Sequence, residues 1–243
     1  MLLLDVGNSR CKWARIENGE WTHKGVADNA ECLALQRNFD VLSAPSRIII
    51  SNVGGDAMAQ RLRNICSKWP VPMEFVLARK MQCGVSNAYD DPARLGSDRW
   101  AALIAAWQHF GHACLVVNCG TATTVDALSD AGEFLGGLIV PGVTLMQQSL
   151  LHNAAQLQAM DGSVLDFPRN TADAIHSGIV RATAGTIEHQ YALLKSCGSA
   201  ATIACVLSGG AAGQIQKYLG MPVKHVDNLV LEGLKVIGET SAC

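Results

Sequence analysis

Charge is scarce in this chain of 243 residues: only 16% are Asp, Glu, Lys or Arg, and the formal net charge is −2. No block of basic residues occurs, so binding nucleic acid by neutralising its phosphates gets no support and no nucleic-acid partner is expected. No apolar run approaches the roughly 20 residues of a membrane helix, so no membrane partner is expected. The apolar start is very short, lacks a basic leader and runs straight into Asp5 and Arg10, unlike a secretory signal. No C-x-x-C pair occurs among the nine cysteines, whose number is odd and whose spacing is irregular. Cys114 and Cys205 lie within aliphatic runs, where a thiol behaves as a small hydrophobe. His109, His112 and Cys114 cluster in sequence but straddle a helix end and a strand start, so a metal site there is not expected. A reducing cytoplasm is the expected compartment. What remains is a chain that is 49% hydrophobic and long enough for one large domain or two of ordinary size.

The chain is organised around its opening run, Leu2-Leu3-Leu4-Asp5-Val6-Gly7-Asn8-Ser9-Arg10. It reads as a buried strand, a tight turn and a strand returning beside the first. Gly7 and Asn8 tolerate positive φ, which would close the turn and present backbone N–H groups to an anion such as phosphate. Asp5, at the mouth of the strand, would sit where a phosphate-bound metal ion or water must lie. An ordinary hairpin explains the same residues about as well.

A third strand follows, Trp21 to Val26, then a helix over 28–39, a strand at 47–53 ending in Gly54-Gly55, a helix to about Trp69 and a strand from Met73. Residues 79–95 lack periodicity and read as a loop long enough to be functional. The next helix, from about Gly96 to Phe110, has Trp100, Leu103, Ile104 and Trp107 on one stripe. Then the opening pattern recurs at Cys114-Leu115-Val116-Val117-Asn118-Cys119-Gly120-Thr121, followed by strands to Asp126 and Val140. A helix from Val143, a turn at Asp161-Gly162, a long helix over 171–195, a strand from Ala201 ending in Ser208-Gly209-Gly210 and a last helix from Asn228 complete the chain. Two halves, each opening with a three-strand meander and a glycine turn, would aim two phosphate-binding turns into one cleft.

Four motifs, in order and at similar spacing, resemble those of type III pantothenate kinases: Asp5-x-Gly7-Asn8-Ser9, Gly96-Ser97-Asp98-Arg99, Gly120-Thr121-Ala122-x-Thr124-x-Asp126 and Gly136-Gly137-x-Ile139-x-Pro141-Gly142. The resemblance implies an α/β fold of two ribonuclease H-like (actin-like ATPase) lobes with mixed sheets flanked by helices, divided here as 1–111 and 112–243. It implies phosphorylation of pantothenate by ATP with a divalent cation such as Mg2+. It implies that Asp5, Val6, Gly7, Asn8, Ser9, Arg10, Cys11 and Lys12 form the ATP phosphate loop, with Thr121 a second ATP contact. Asp98 matches the family's catalytic base, while Tyr89, Gly96, Ser97, Asp98, Arg99 and Thr171 match its pantothenate contacts. Thr171 also reads as the N-cap of the long helix, and Arg99 as a surface arginine. A first-turn aspartate such as Asp98 is expected to be favoured as the ionised form by the helix dipole. Where the family has an aspartate for a monovalent cation (K+ or NH4+), this chain has Asn118, which keeps an oxygen ligand but drops the charge. The resemblance further implies a homodimer, for which the small residues Ala182-Thr183-Ala184-Gly185-Thr186 offer a helix face. Two rivals remain open: another small-molecule kinase of the superfamily, and a nucleotide-binding regulatory protein without turnover.

Overall fold

The computed structural model describes residues 1–30, 32–153, 162–197 and 202–240, without the side chains of 32–34 and 153. Asp161 and Ala201, and the side chains of Cys32 and Leu33, thus lie outside the described residues.

The chain divides into two compact units, one of residues up to His109 together with the chain from Asn228, the other Phe110–Asp227. The first unit opens with β1 (Leu2–Val6), β2 (Arg10–Glu17) and β3 (Glu20–Asp28), followed by α1 (Cys32–Asp40), β4 (Ile48–Asn52), α2 (Asp56–Cys66) and β5 (Met73–Phe75). Its sheet runs β3-β2-β1-β4-β5. β1 is antiparallel to β2 and parallel to β4. Covered on both faces, β1 and β4 are near-continuous apolar runs, with Leu2, Leu3, Leu4, Ile48, Ile49 and Ile50 fully buried. Asn18 and Gly19 take positive φ (52° and 84°) in the β2–β3 hairpin, which matches the strand twist. In the core Trp13 meets Phe39 edge to face and Phe39 meets Trp69 at a tilt, with ring centroids 5.4 and 5.7 Å apart.

Residues 79–95 are more structured than their composition suggests. They hold a small hairpin of β6 (Met81–Gln82) and β7 (Val85–Asn87), turned at Cys83-Gly84, and a 3-10 turn at Pro92–Arg94. Buried Asn87 stitches this segment: its side chain accepts from the Tyr89 N–H (3.0 Å) and donates to the Pro92 carbonyl (3.2 Å). The hairpin meets α3 (Ser97–Phe110), where Trp100 donates to the Gln82 side chain (2.8 Å). Residues 100–106 of α3 are all buried, so the helix is enclosed rather than striped.

In the second unit, β8 (Cys114–Cys119), β9 (Ala122–Leu128) and β10 (Glu133–Pro141) form the second meander. There follow α4 (Val143–Asn153), α5 (Thr171–Cys197), β11 (Ala204–Ser208), α6 (Ala212–Gln216) and β12 (Lys224–His225). Within the unit the strand order is β10-β9-β8-β11-β12, the order of the first sheet repeated.

The last helix, α7 (Leu229–Thr240), corrects the expected boundary: it belongs with the first unit. The Arg47 guanidinium donates to the Gly238 carbonyl (2.8 Å), and Gly233 lies so close to the Ala101 carbonyl that any Cβ would collide. An apolar helix able to approach a neighbouring backbone buries more area there than its place in sequence indicates. No disulfide joins the described cysteines, and no described helix is long and apolar enough to cross a membrane.

Candidate active site

In sheets of this kind ligands gather beyond the carboxyl ends of parallel strands, and in the first unit those ends belong to β1 and β4. Asp5 is the penultimate residue of β1, flanked by Lys12 on β2 and Ser51 on β4. Its carboxyl is pushed up to about 7, first by burial and then by the Asp98 charge, with Lys12 pulling the other way. The chain then turns, the Gly7 N–H donating to the Arg10 carbonyl (3.0 Å).

The turn does not close as expected, since neither Gly7 nor Asn8 takes a positive φ. A Cβ on Gly7 would meet only the Arg10 carbonyl at 3.6 Å, an ordinary contact. Neither conformation nor packing inside the unit demands glycine here; its effect is to leave the backbone open to approach. Asn8, Ser9 and Arg10 are exposed, and Arg10 reaches Asp28 (3.2 Å). Val6 and Cys11 point into the core, so only their main chain faces the turn.

The second carboxylate comes from α3. Asp98 accepts the Arg99 N–H (2.8 Å), and a Cβ on Gly96 would stand 2.6 Å from the same carboxylate oxygen. Burial raises the Asp98 pKa, against the Arg99 N–H, the Arg99 charge and its own N–H. The net direction is upward: burial outweighs the N–H groups and the Arg99 charge that favour the ionised form. The Ser51 and Ser97 hydroxyls, 2.9 Å apart and buried, tie the end of β4 to the start of α3. Arg99 is not a surface side chain. It is buried, donates to the Tyr89 hydroxyl (2.9 Å), and lies 5.7 Å from that ring's centroid. The structure thus brings together Asp5, the Gly7–Arg10 turn, Gly96, Ser97, Asp98, Arg99 and Tyr89 in one unit.

In the second unit Asn118 repeats the place of Asp5. It is penultimate in β8, with Thr124 and Ser208 where Asp5 has Lys12 and Ser51. Gly209, at φ 95°, comes so near that a Cβ would lie 2.7 Å from the Asn118 side-chain oxygen. Thr121 is exposed in the turn that follows. Thr171 is not the cap of α5. Asn170 caps it by accepting the Asp173 N–H (2.9 Å) and donating to the Asp173 carboxylate (2.6 Å). Thr171 instead lines a cavity of about 1220 Å³ with Leu145, Met146, Arg169, Ile175 and Gly178. Of the small residues on α5, Thr183 and Ala184 are buried while Ala182 and Gly185 are exposed.

Among the described residues no three His, Cys, Asp or Glu side chains gather to hold a metal ion. Asp5 is a carboxylate that could meet a divalent cation brought in on phosphates. An acid that burial and a second acid have raised gains by meeting a cation.

Sequence reading missed Asn29, Ser51, Asn52 and Asn87, which shape this site. Asn52 folds its own turn, accepting from the Gly54 N–H (3.1 Å) and donating to the Gly55 carbonyl (3.0 Å). Ser51-Asn52-Val53-Gly54-Gly55 and Ser208-Gly209-Gly210 are counterparts at the ends of β4 and β11, and that parallel was readable.

A five-strand pattern repeated in the same order in both units defines the doubly built α/β fold of actin-like ATPases and sugar kinases. A protein from Sinorhizobium meliloti described as a 2-dehydro-3-deoxygalactonokinase has this fold (TM-score 0.62, 17% identity, 99% of this chain and 98% of that one). So does a Baf-family protein from Campylobacter jejuni (TM-score 0.62, 21% identity, both chains fully covered). A sequence model of type III pantothenate kinases matches residues 1–193. The type III pantothenate kinase of Nitrosospira multiformis is 47% identical over 246 residues, covering 99% of this chain and 92% of the relative. The chain belongs to the type III pantothenate kinase family.

Proposed function

We propose that this chain phosphorylates pantothenate with ATP, giving 4′-phosphopantothenate, the first step of coenzyme A biosynthesis. One observation carries the site assignment: Asp98, Arg99 and Tyr89 are assembled on one helix start and its preceding loop, within electrostatic reach of Asp5. That combination offers a base, a cation for an anionic substrate group and an acid for the metal side.

Asp98 receives or orients the proton of the pantothenate primary hydroxyl as its oxygen attacks the γ-phosphorus in line. Its raised pKa makes it a stronger base than an ordinary aspartate. Arg99, held by its hydrogen bond to Tyr89, supplies the positive charge that suits a carboxylate such as that of pantothenate. Gly96 and Ser97 add main-chain contacts, and Thr171 is a further substrate contact. The main chain of residues 5–12 receives ATP phosphates, helped by Lys12, and Thr121 is another ATP contact. A bound Mg2+ neutralises phosphate charge, and Asp5 is the residue that would hold it. Asn118 is the monovalent-cation position, uncharged here, so we expect weak or absent dependence on K+ or NH4+. The enzyme works in the cytoplasm as a homodimer, with the exposed face of α5 that carries Ala182 and Gly185 at the interface.

ADP release in a coupled assay, with and without pantothenate, tests the activity. Without pantothenate-dependent release, the assignment fails. Sedimentation velocity tests the dimer, and a monomer at assay concentrations would remove it.

A further inference from the structure

Each meander ends in a residue that reaches back to its own phosphate turn. In the first unit this is Asn29, immediately after β3. Its backbone N–H donates to the Ser9 carbonyl (2.9 Å), and its side-chain amide donates to the Gly7 carbonyl (2.7 Å). In the second unit it is Gly142, immediately after β10. Its backbone N–H donates to the Thr121 carbonyl (2.9 Å), and it packs so closely on the Gly120 carbonyl that no Cβ fits. The third strand of each unit therefore closes on the first hairpin in the same way.

We propose that Asn29 and Gly142 are positioning residues for nucleotide phosphate, each fixing the turn of its own unit. A peptide unit that binds an anion must direct its N–H outward. Asn8, Ser9 and Arg10 are exposed, and Gly7 is glycine, so little side-chain packing restrains this turn. Two donors from Asn29 hold two of its carbonyls on the inner side, so that less ordering is left to be done when phosphate arrives. Arg10, anchored to Asp28 just before Asn29, pins the far end of the same turn. In the second unit glycine does by contact what the asparagine amide does by hydrogen bond. Gly142 takes no positive φ, so close approach and not conformation is what demands glycine there.

The proposal rests on the assignment of the Gly7–Arg10 turn to ATP phosphates. Asn29→Ala removes the side-chain donor and keeps the backbone one. Asn29→Asp keeps the shape but has no N–H for the Gly7 carbonyl, and adds negative charge beside the turn. Positioning predicts a KM for ATP about tenfold higher in Asn29→Ala and higher still in Asn29→Asp, tenfold being about 1.4 kcal/mol. The KM for pantothenate and the melting temperature should stay near those of the parent. Gly142→Ala should likewise raise the KM for ATP. Lys12→Ala serves as the control on the turn itself. If Lys12→Ala weakens ATP binding and the Asn29 variants do not, the positioning role is wrong while the ATP site stands. If none of these changes alters the KM for ATP, the ATP site is misplaced as well. If both KM values and the melting temperature move together in the Asn29 variants, Asn29 is only structural and the proposal falls.

Discussion

Asp5 is held at a cost to the fold, and Asp5→Asn should reveal it. The substitution keeps the shape and removes the charge. Burial and Asp98 raise the carboxyl from 3.8 to about 7, a difference of about 3 units, or about 4 kcal/mol at ~1.4 kcal/mol per unit. Part of the side chain still meets solvent, so this figure is a ceiling. The sign follows from proton binding. Below about pH 4 the group is protonated in both states. Between about pH 4 and 7 the unfolded chain has released the proton that the folded protein keeps, so the stability of the nucleotide-free parent falls as pH rises. Above 7 both forms are ionised and the whole penalty stands. The amide escapes it, so the variant should gain on the parent by up to about 3 kcal/mol between pH 5 and pH 8. Urea unfolding at the two pH values, followed by tryptophan fluorescence, measures this difference. All five tryptophans (13, 21, 69, 100 and 107) lie in the first unit, so the signal reports the unit concerned. A stability difference that does not change between pH 5 and 8, or a variant weaker than the parent at pH 8, would refute the reasoning. The same variant should lose most kinase activity, a residue kept for chemistry against stability.

Asp98→Asn should lower kcat by about 10²- to 10⁴-fold, the usual worth of a positioned base, with the KM for ATP little changed; an equal rise in that KM would point to a different role. Because Asp98 takes up a proton above the ordinary carboxylate range, kcat/KM for pantothenate should fall on the acid side of the profile, and an activity flat down to pH 4 would contradict this. Gly96→Ala forces a methyl group against the Asp98 carboxylate and should cost on the order of 10²-fold in kcat, while nucleotide binding followed by calorimetry is retained. Tyr89→Phe removes the acceptor of the Arg99 hydrogen bond and should raise the KM for pantothenate several-fold, leaving that for ATP unchanged. Asn118→Asp should make activity more dependent on potassium; if the parent collapses without potassium as fully as the variant, the amide has not relaxed the requirement.

The first and second meanders, the glycine turns and the placement of Asp98 at a helix start were legible because each is local. Alternation, Gly/Asn turns and a polar residue before an apolar run need no tertiary information. The position of α7 was not legible, because its docking depends on Gly233 meeting a backbone 132 residues away in sequence, at Ala101. Nor was the order within 79–95. Its stability comes from Asn87, a buried polar residue whose partners at Tyr89 and Pro92 are visible only in the folded segment. The upward shift at Asp98 was not legible for a related reason. The dipole of a helix start is implied by sequence, but desolvation depends on what packs around it, and here packing decides the direction of the shift. Arg99 followed the same rule, since an arginine in a first turn looks solvated until Tyr89 covers it.

The repetition of the two units makes their one chemical difference interpretable. Asp5 and Asn118 hold the same register position, and each has a serine on its parallel neighbour, Ser51 or Ser208. On the antiparallel side the first unit places Lys12 and the second Thr124. The first turn therefore carries an acid and a base side by side, and the second carries two neutral polar groups. A polyphosphate with a divalent ion needs both signs of charge, cation for phosphate and anion for metal. At these register positions the first unit supplies the pair and the second does not. A buried acid at 118 would share Asp5's desolvation penalty with Thr124 where Asp5 has Lys12. The amide keeps the geometry of the turn and avoids that cost, so the duplicated frame persists in the second unit while the acid at this register position is kept in the first, at Asp5.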